Sequence, residues 1–255
     1  MNEALEKDFL SKIDSLRDKT NVLHFSCGAD SVAAYLKLKE NEIKPICIYH
    51  YFIKDLPLHK NYIDWFEKKF NEHIYQFPSV LFIEMFDRML FQYPVKARER
   101  TRNRIGYNMA GFTKEKYDKI IADTLGGDVI FHLGLKYADG IRRFSHLQKN
   151  GVSFENKFYP IASFKVSDIQ DILARYNCVL PYEYRLWGTS FESPRAWNIG
   201  LLKEFCPVTY KKILEFFPLV GAESLRKYAA LSKYHKQRTT QYKDFAMRRE
   251  DYPVW

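Results

Sequence analysis

Short apolar runs alternate with amphipathic stretches along the first two thirds of the chain. The apolar runs have the length of strands, whereas the amphipathic stretches repeat their apolar residues at the three- and four-residue spacing of a helix. This alternation predicts an α/β fold with an open, mostly parallel sheet of five strands and helices on both faces. The pattern places four of these five strands, at 21–25, 43–49, 73–77 and 129–133. The helices are 2–19, a stretch ending near residue 40, 59–70, one from Pro78 to about Leu90, 113–125 and one beginning near residue 167.

The pattern changes near residue 190. Beyond Pro194 the chain is basic and its apolar residues follow helical spacing. We therefore predict two domains, 1–190 and a basic helical C-terminal extension over 191–255. No repeat, low-complexity tract or flexible linker marks the boundary in the sequence.

The stretch from Ser26 to Ser31, Ser-Cys-Gly-Ala-Asp-Ser, joins the first predicted strand to the following helix. A strand-to-helix turn presents unpaired backbone N–H groups at the positive end of the helix dipole, so an anion such as phosphate fits there. Gly28 permits close approach of a ligand, and Ala29 keeps the turn open. The hydroxyls of Ser26 and Ser31 add hydrogen-bond donors. The Asp30 carboxylate has three interpretations: it caps the helix, binds a Mg²⁺ that bridges phosphates, or orients Ser31.

Other chemistry-bearing residues follow the second and fourth predicted strands. His50 directly follows the second predicted strand, and doubly wound sheets bind their ligands outside the carboxyl ends of the strands. It is a catalytic base, a stacking residue or a structural histidine. The run 134–143, Gly-Leu-Lys-Tyr-Ala-Asp-Gly-Ile-Arg-Arg, follows the fourth strand. Its basic residues Lys136, Arg142 and Arg143 either contact phosphate or lie solvated in a loop.

The composition fits a well-filled globular protein that binds an anion. Of the 255 residues, 46% are hydrophobic and 16% aromatic, which excludes a disordered chain. The net charge of +9 suits a nucleotide or a nucleic acid. The most basic stretch, 96–104, either clamps phosphates or is a solvated helix face.

The sequence predicts neither a membrane span nor an export signal. No apolar run approaches the roughly 20 residues of a membrane span. The charged N-terminal segment also lacks a signal-peptide core. We therefore expect a cytoplasmic protein with no membrane partner, and the sequence leaves a homo-oligomer open.

The cysteines form no metal or redox motif. The chain has four, and no two of them make a Cys-x-x-Cys pair, so we expect neither zinc nor an iron–sulfur cluster. They are Cys27, Cys47, Cys178 and Cys206. Cys27 lies at a predicted helix N-terminus, where a thiol becomes more acidic. A small residue tolerated in a turn is the simpler explanation of it.

The stretch from Ser26 to Ser31 resembles the phosphate loop Ser-Gly-Gly-x-Asp-Ser of the adenine nucleotide α-hydrolase superfamily. That superfamily includes the PP-loop ATP pyrophosphatases and the phosphoadenosine phosphosulfate (PAPS) reductases. Cys27 stands where the family usually has Gly. The resemblance implies a PP-loop, Rossmann-like fold and a bound adenine nucleotide, either ATP with Mg²⁺ or PAPS.

Two later stretches resemble the same family. The run 134–143 is similar to the Gly-x-Arg-x-x-Glu-Ser-x-x-Arg segment that closes over the nucleotide in PAPS reductase relatives. Gly134 and Arg143 agree with it, while Lys136 and Asp139 are replacements that conserve charge. The run 158–169 looks like the family's Asn-Pro-Leu-x-x-Trp-x-x-x-Asp-Val stretch, and it supports the fold more than the chemistry.

Together the residues and the resemblance assign a candidate site. Catalytic roles fall to Asp30, Lys136 and Arg143, and Asp30 is also the candidate metal ligand. Nucleotide-binding roles fall to ten residues of the two motifs and the second strand. They are Ser26, Cys27, Gly28, Ala29, Asp30, Ser31, His50, Gly134, Asp139 and Arg142.

Three functions follow as hypotheses. The leading one is an enzyme that cleaves the α–β phosphate bond of ATP or a related nucleotide, adenylates a nucleic-acid or protein acceptor and releases pyrophosphate. The second is an oxidoreductase similar to PAPS reductase, acting on a sulfonucleotide, although the Glu-Cys-Gly-(Ile/Leu)-His motif of the thiol-dependent reductases is missing from this sequence. The third is a basic nucleic-acid-binding module without catalysis.

Overall fold

The computed structural model describes residues 1–96, 113–225 and 233–251. The chain divides into two compact units. The first consists of Met1–His50, Phe66–Gln76 and Asp118–Leu180, and the second of Tyr51–Trp65, Phe77–Tyr117 and Pro181–Trp255. This division differs from the predicted domains 1–190 and 191–255, which stay a prediction. Apart from Lys96, the basic stretch 96–104 lies outside the described residues.

Among the described residues, six strands form one sheet. They are β1 (Thr20–His24), β2 (Ile46–Tyr51), β3 (Ile74–Pro78), β4 (Val129–His132), β5 (Ser153–Phe154) and β6 (Lys157–Phe158). The strand order is β3-β2-β1-β4-β6-β5. β1 is parallel to β2 and β4, and β4 is parallel to β6, whereas β5 is antiparallel to β6. The α/β class and the mostly parallel sheet are confirmed, while the PP-loop assignment and helices on both faces stay predictions.

The predicted strand number of five was wrong because β5 and β6 form a hairpin of two-residue strands. Such short strands carry no alternation that a sequence pattern can reveal. Ser153 pairs with Phe158 and Phe154 with Lys157. Glu155, with φ 53°, turns the chain between the two strands.

Helices lie between most of the strands and follow β6 along the chain. Their bounds are Glu3–Lys12, Ala29–Glu40, Pro57–Phe70, Val80–Asp87, Lys114–Thr124, Ile141–Asn150, Val166–Arg175, Glu183–Leu186, Ala196–Phe205, Pro207–Phe216 and Lys233–Tyr242. Short 3-10 turns lie at Ile13–Leu16, Tyr137–Asp139, Val220–Leu225 and Arg249–Asp251. Within the described ranges, no helix is both long and apolar enough to cross a membrane.

The helix predicted to open at Pro78 begins two residues later. Pro78 completes β3, and Ser79 is the N-cap of the helix Val80–Asp87. The Ser79 hydroxyl accepts a hydrogen bond from the backbone N–H of Phe82 at 3.1 Å. A serine cap satisfies a first-turn N–H that proline at the first helical position would leave unpaired.

One face of the first helix packs into the core of the first unit. Four apolar side chains of this helix and of the turn that follows it are buried: Leu5, Phe9, Ile13 and Leu16. The regular helix ends at Lys12, and a 3-10 turn carries the last two of them. Phe9 contacts Phe158 of β6, with ring centroids 5.8 Å apart.

Aromatic packing anchors the entry to the predicted phosphate loop. Phe25, which directly follows β1, is 1% exposed, and its ring centroid lies 4.6 Å from that of Phe66. Tyr35 of the helix Ala29–Glu40 contacts the same Phe66 ring at 5.0 Å. Burying a side chain of this size stabilises the fold by about 1.5–3 kcal/mol. Both ends of the loop are therefore attached to the core.

Phenylalanines form much of the core of the second unit. Phe52 stacks on Phe217 with ring centroids 5.4 Å apart. It contacts Phe82 and Phe191 edge-on at 5.9 and 6.0 Å. Edge-on and offset contacts of this kind add to the stabilisation that burial alone provides.

Candidate functional site

Ser31 fixes the turn between β1 and the helix Ala29–Glu40. Its hydroxyl accepts a hydrogen bond from the backbone N–H of Ser26 at 3.1 Å and donates one to the carbonyl of Gly28 at 2.9 Å. The two serine hydroxyl oxygens lie 3.3 Å apart. Ser31 is buried, whereas Ser26 is exposed. Of the two predicted hydroxyl donors, Ser26 is therefore the one open to a ligand.

Cys27 adopts a backbone conformation that favours glycine. Its φ is 59°, in the left-handed region, and its side chain is fully buried. A residue with a Cβ atom loses about 1–2 kcal/mol in this conformation, and glycine does not. The tight turn forms here with cysteine at the position where the resembled family has glycine.

The helix that follows the loop begins without a side-chain cap. Gly28 is its N-cap, and Val32 donates the first regular hydrogen bond back to the Gly28 carbonyl at 3.0 Å. Because glycine offers no side-chain acceptor, the first turn keeps its capacity to bind an anion. The interpretation in which Asp30 caps this helix does not agree with these contacts.

Asp30 instead reaches the second predicted motif. Its Oδ2 accepts a hydrogen bond from Lys136 Nζ at 2.8 Å. Lys136 also contacts the Asp139 carboxylate, which in turn binds Arg143. We call Asp30, Lys136, Asp139 and Arg143 the charge cluster. It brings residues that lie more than a hundred positions apart in the sequence to one place.

Gly134 allows the two motifs to approach each other. A Cβ atom at this position would lie 2.9 Å from the carbonyl carbon of Asp30 and 3.0 Å from its oxygen. Both atoms are backbone, so neither can move aside as a flexible side chain would. The chain after β4 therefore passes close to the start of the helix Ala29–Glu40 because residue 134 lacks a side chain.

The two oxygens of the Asp30 carboxylate differ in their environment. Oδ2 holds Lys136, whereas Oδ1 is buried and accepts no hydrogen bond from any described residue. A buried carboxylate oxygen without a donor is a suitable ligand for a cation. Mg²⁺ commonly takes one or two carboxylates and completes its shell with phosphate oxygens and water. Asp30 therefore fits a cation shared with a phosphate ligand.

A second cluster lies at the same edge of the sheet. His24 stacks on His50 with ring centroids 5.5 Å apart, and on Phe131 at the same distance. His24 Nε2 lies 3.1 Å from Asp118 Oδ1. His50, a predicted site residue, is thus placed against His24.

Sequence reasoning missed His24 and Asp118. A signal existed for His24, because it ends β1 and pairs with Ile48 of β2. His50 lies two residues beyond Ile48, so alternation along the strand puts both histidines on one face of the sheet. Asp118 lies on the helix Lys114–Thr124, and its position in the sequence gives no such indication. Arg142, the remaining predicted residue of the second motif, is exposed beside Arg143.

The cysteines are buried, which makes thiolate chemistry unfavourable. Burial raises the pKa of the Cys178 thiol to about 12, and burial together with nearby Glu183 raises that of Cys206 to about 12. Burial also raises the pKa of Cys47. These three thiols remain protonated at neutral pH and are poor nucleophiles.

Neither a cluster of metal ligands among the described residues nor a match to a family model or a curated protein identifies the chain. In the part of the chain that the structure describes, no group of three or more His, Cys, Asp or Glu side chains is placed to hold a metal ion. No family model and no curated protein matches the chain. The family resemblance therefore rests on the motifs quoted above and stays a prediction.

Proposed function

We propose that this protein binds ATP, or a closely related adenine nucleotide, at the loop from Ser26 to Ser31 and transfers its adenylyl group to an acceptor. The contact between Asp30 and Lys136, at 2.8 Å, carries the proposal. It joins a helix N-terminus suited to phosphate to a buried lysine and a nearby arginine. The helix N-terminus and the two basic residues can bind phosphate, and Asp30 can bind a cation, so groups for both lie close together.

The reaction needs little covalent participation by the protein. The acceptor attacks the α-phosphorus, the bond from that phosphorus to the bridging oxygen breaks, and pyrophosphate leaves. The first-turn N–H groups and the Ser26 hydroxyl hold the departing phosphates. Lys136 and Arg143 neutralise the charge that develops on them, which is the main way such transfers are accelerated. Asp30 would hold a Mg²⁺, which would supply further charge neutralisation.

The buried thiols weigh against the reductase alternative. A PAPS reductase needs a thiolate that attacks sulfur. Cys206, one candidate for that role, is 1% exposed, and burial raises its pKa to about 12. The nucleic-acid-binding alternative depends mainly on the stretch 96–104, most of which lies outside the described residues.

Equilibrium binding tests the proposal without knowledge of the acceptor. We would titrate ATP with Mg²⁺ and measure its competition with PAPS. The Lys136→Met variant should weaken ATP binding about 10- to 100-fold, because a charge-assisted hydrogen bond to phosphate is lost. Stronger binding of PAPS than of Mg-ATP would favour the reductase alternative instead.

Lys37→Met is a matched control. Lys37 lies on the helix Ala29–Glu40, is nearly as buried as Lys136, and pairs with the Glu6 carboxylate at 2.6 Å. Both variants remove a buried lysine from a carboxylate, so both should lower stability. Only Lys136→Met should weaken ATP binding. An equal loss of ATP affinity in both variants would mean that the loss results from lower stability.

A further inference from the structure

Two segments of the second unit form an exposed apolar surface. One segment follows the helix Val80–Asp87, and the other spans the end of the helix Pro207–Phe216. Four large apolar side chains of these segments are between 36% and 51% exposed. They are Leu90, Tyr93, Phe216 and Leu219, and we call them the apolar patch.

Contacts between the two segments make the apolar patch one continuous surface. The backbone N–H of Leu219 donates a hydrogen bond to the Phe91 carbonyl at 2.9 Å. The side-chain amide of Gln92 donates to the carbonyl of Phe216, whose ring also contacts that of Phe82 with centroids 5.8 Å apart. The four exposed side chains are therefore presented together rather than scattered over the unit.

The apolar patch has the size of a functional surface. Side chains as large as these bury about 150–250 Å² each, so the exposed part of the four comes to about 300 Å². Apolar patches of about 300–600 Å² are the largest that a typical monomeric protein exposes, and they are often functional. An interface places such a patch at its centre and polar residues at its rim.

The backbone around Leu90 is strained. Its neighbours Met89 and Phe91 have φ values of 54° and 56°, in the left-handed region. Neither neighbour is glycine, so the Cβ atom of each crowds its own backbone. Strain of this kind concentrates at functional surfaces. It distinguishes this turn by an observation that does not depend on apolar character.

The charges beside the apolar patch suit a second copy of this chain. Arg88 lies two residues before Leu90, and Glu215 directly precedes Phe216. Both charged side chains are exposed, and neither forms an ion pair with a described residue. One basic and one acidic residue make the surface self-complementary, since a two-fold axis brings Arg88 of each copy to Glu215 of the other. A nucleic acid or an anionic membrane would instead require an excess of basic residues.

We infer that two copies of this chain associate through the apolar patch about a two-fold axis. The two patches pack against each other, and Arg88 and Glu215 form two equivalent ion pairs at the rim. The net charge of +9 on each copy opposes association, so contact forms where apolar burial and complementary charges coincide. This inference goes beyond the proposed function and does not depend on it.

Sedimentation equilibrium of the 255-residue chain tests the inference. Concentrations from about 1 to 100 μM span the dissociation constant expected of a small interface. The wild type has a monomer mass of 30.4 kDa and should approach twice that mass as its concentration rises. A monomer at every concentration would overturn the inference and leave the apolar patch to a different partner.

Leu90→Arg places a positive charge in each apolar patch, so the two copies should repel each other. The dissociation constant should rise at least about tenfold. Leu10→Arg is the matched control, because Leu10 is 55% exposed and lies in the first unit. It adds the same charge and should keep the wild-type dissociation constant. An equal increase in both variants, or none in Leu90→Arg, would overturn the inference.

Charge reversal tests the two-fold arrangement without changing the apolar residues. Arg88→Glu or Glu215→Arg alone places like charges at both rim contacts, so each should raise the dissociation constant about three- to tenfold. The double variant restores two pairs of opposite charge and should return to within about twofold of the wild type.

The charge-reversal variants also cover a failure of Leu90→Arg to fold. Both charged residues are exposed, so their substitution leaves the fold intact, and melting temperatures verify this. A double variant that dimerises no better than either single variant would overturn the inference.

Discussion

His132 should make the stability of the protein depend on acid pH. This histidine ends β4, is fully buried, and its Nε2 lies 2.8 Å from Asn21 Oδ1. The Asn21 amide nitrogen donates to the carbonyls of Leu16 and Lys19, so its oxygen faces His132. His132 Nε2 is therefore the donor and carries the proton. The other ring nitrogen, Nδ1, is buried and has no hydrogen-bond partner among the described residues.

A second proton on His132 would place a charge in the core without an acceptor. Burial, together with a smaller contribution from nearby His24, lowers the pKa of His132 from 6.5 to about 3. Between these two values the unfolded chain binds a proton that the folded chain does not. Stability is therefore fully present above the unfolded pKa and is lost as the pH falls toward the folded pKa. From about pH 7 to about pH 5 the loss amounts to about 2 kcal/mol, at about 1.4 kcal/mol for each pKa unit.

Urea unfolding at a series of pH values measures this loss. His132→Gln keeps an N–H donor for Asn21 but has no proton to gain, so its free energy of unfolding should fall by about 2 kcal/mol less over the same range. The variant should also be less stable at neutral pH, since glutamine packs less well than a buried ring. His73→Gln, a change at an exposed histidine, should keep the wild-type slope. An acid slope in His132→Gln as steep as in the wild type would refute the reasoning.

Three further predictions concern the loop and its surroundings. Gly134→Ala should destabilise the protein by about 1–3 kcal/mol in urea unfolding and weaken ATP binding, because the new Cβ meets the Asp30 backbone. Gly200 is a helical glycine with open space around it, so Gly200→Ala should instead stabilise the protein by about 0.5–1 kcal/mol. Equal changes in the free energy of unfolding would contradict the clash at residue 134. Cys27→Gly should be more stable than Cys27→Ala by about 1 kcal/mol, since both variants lose the thiol but only alanine keeps the strain of a positive φ. A lower melting temperature for Cys27→Gly than for Cys27→Ala would exclude that strain. Asp118→Asn should shift the NMR titration of His24 to lower pH, since His24 Nε2 lies 3.1 Å from Asp118 Oδ1, and an unchanged titration would show that the two do not interact.

The sequence pattern predicted the longer elements, in which the spacing of apolar residues repeats several times. Helices such as 59–70 and 113–125 agree with the structure to within two residues, because several turns of apolar spacing define them. The pairing of β5 with β6 was missed because two residues define no period. The start of the helix after Pro78 was misplaced because proline and serine both signal a helix start, and the serine provides the cap.

The candidate site could be predicted by residue type but not by pairing. Lys136 and Arg143 were predicted to contact phosphate or to lie solvated in a loop, whereas each binds a carboxylate in the structure. The pattern of a loop contains no information on which opposite charge will lie beside it, since that depends on how strands far apart in sequence are ordered in the sheet. Asp30 illustrates this, because its partner Lys136 follows β4 and lies 106 positions further along the chain.

Strand order supplies an argument for the site that uses no motif. From β1 the chain adds β2 and then β3 on one side of the sheet, and β4 is added on the other side of β1. The order of strands therefore reverses between β1 and β4. Open α/β sheets bind ligands in the crevice that this reversal creates, outside the carboxyl ends of the two strands. The loop from Ser26 to Ser31 leaves β1 at that crevice, and the run 134–143 leaves β4 there. A ligand site at the charge cluster would thus be favoured even if the resemblance of these two loops to a known family were set aside.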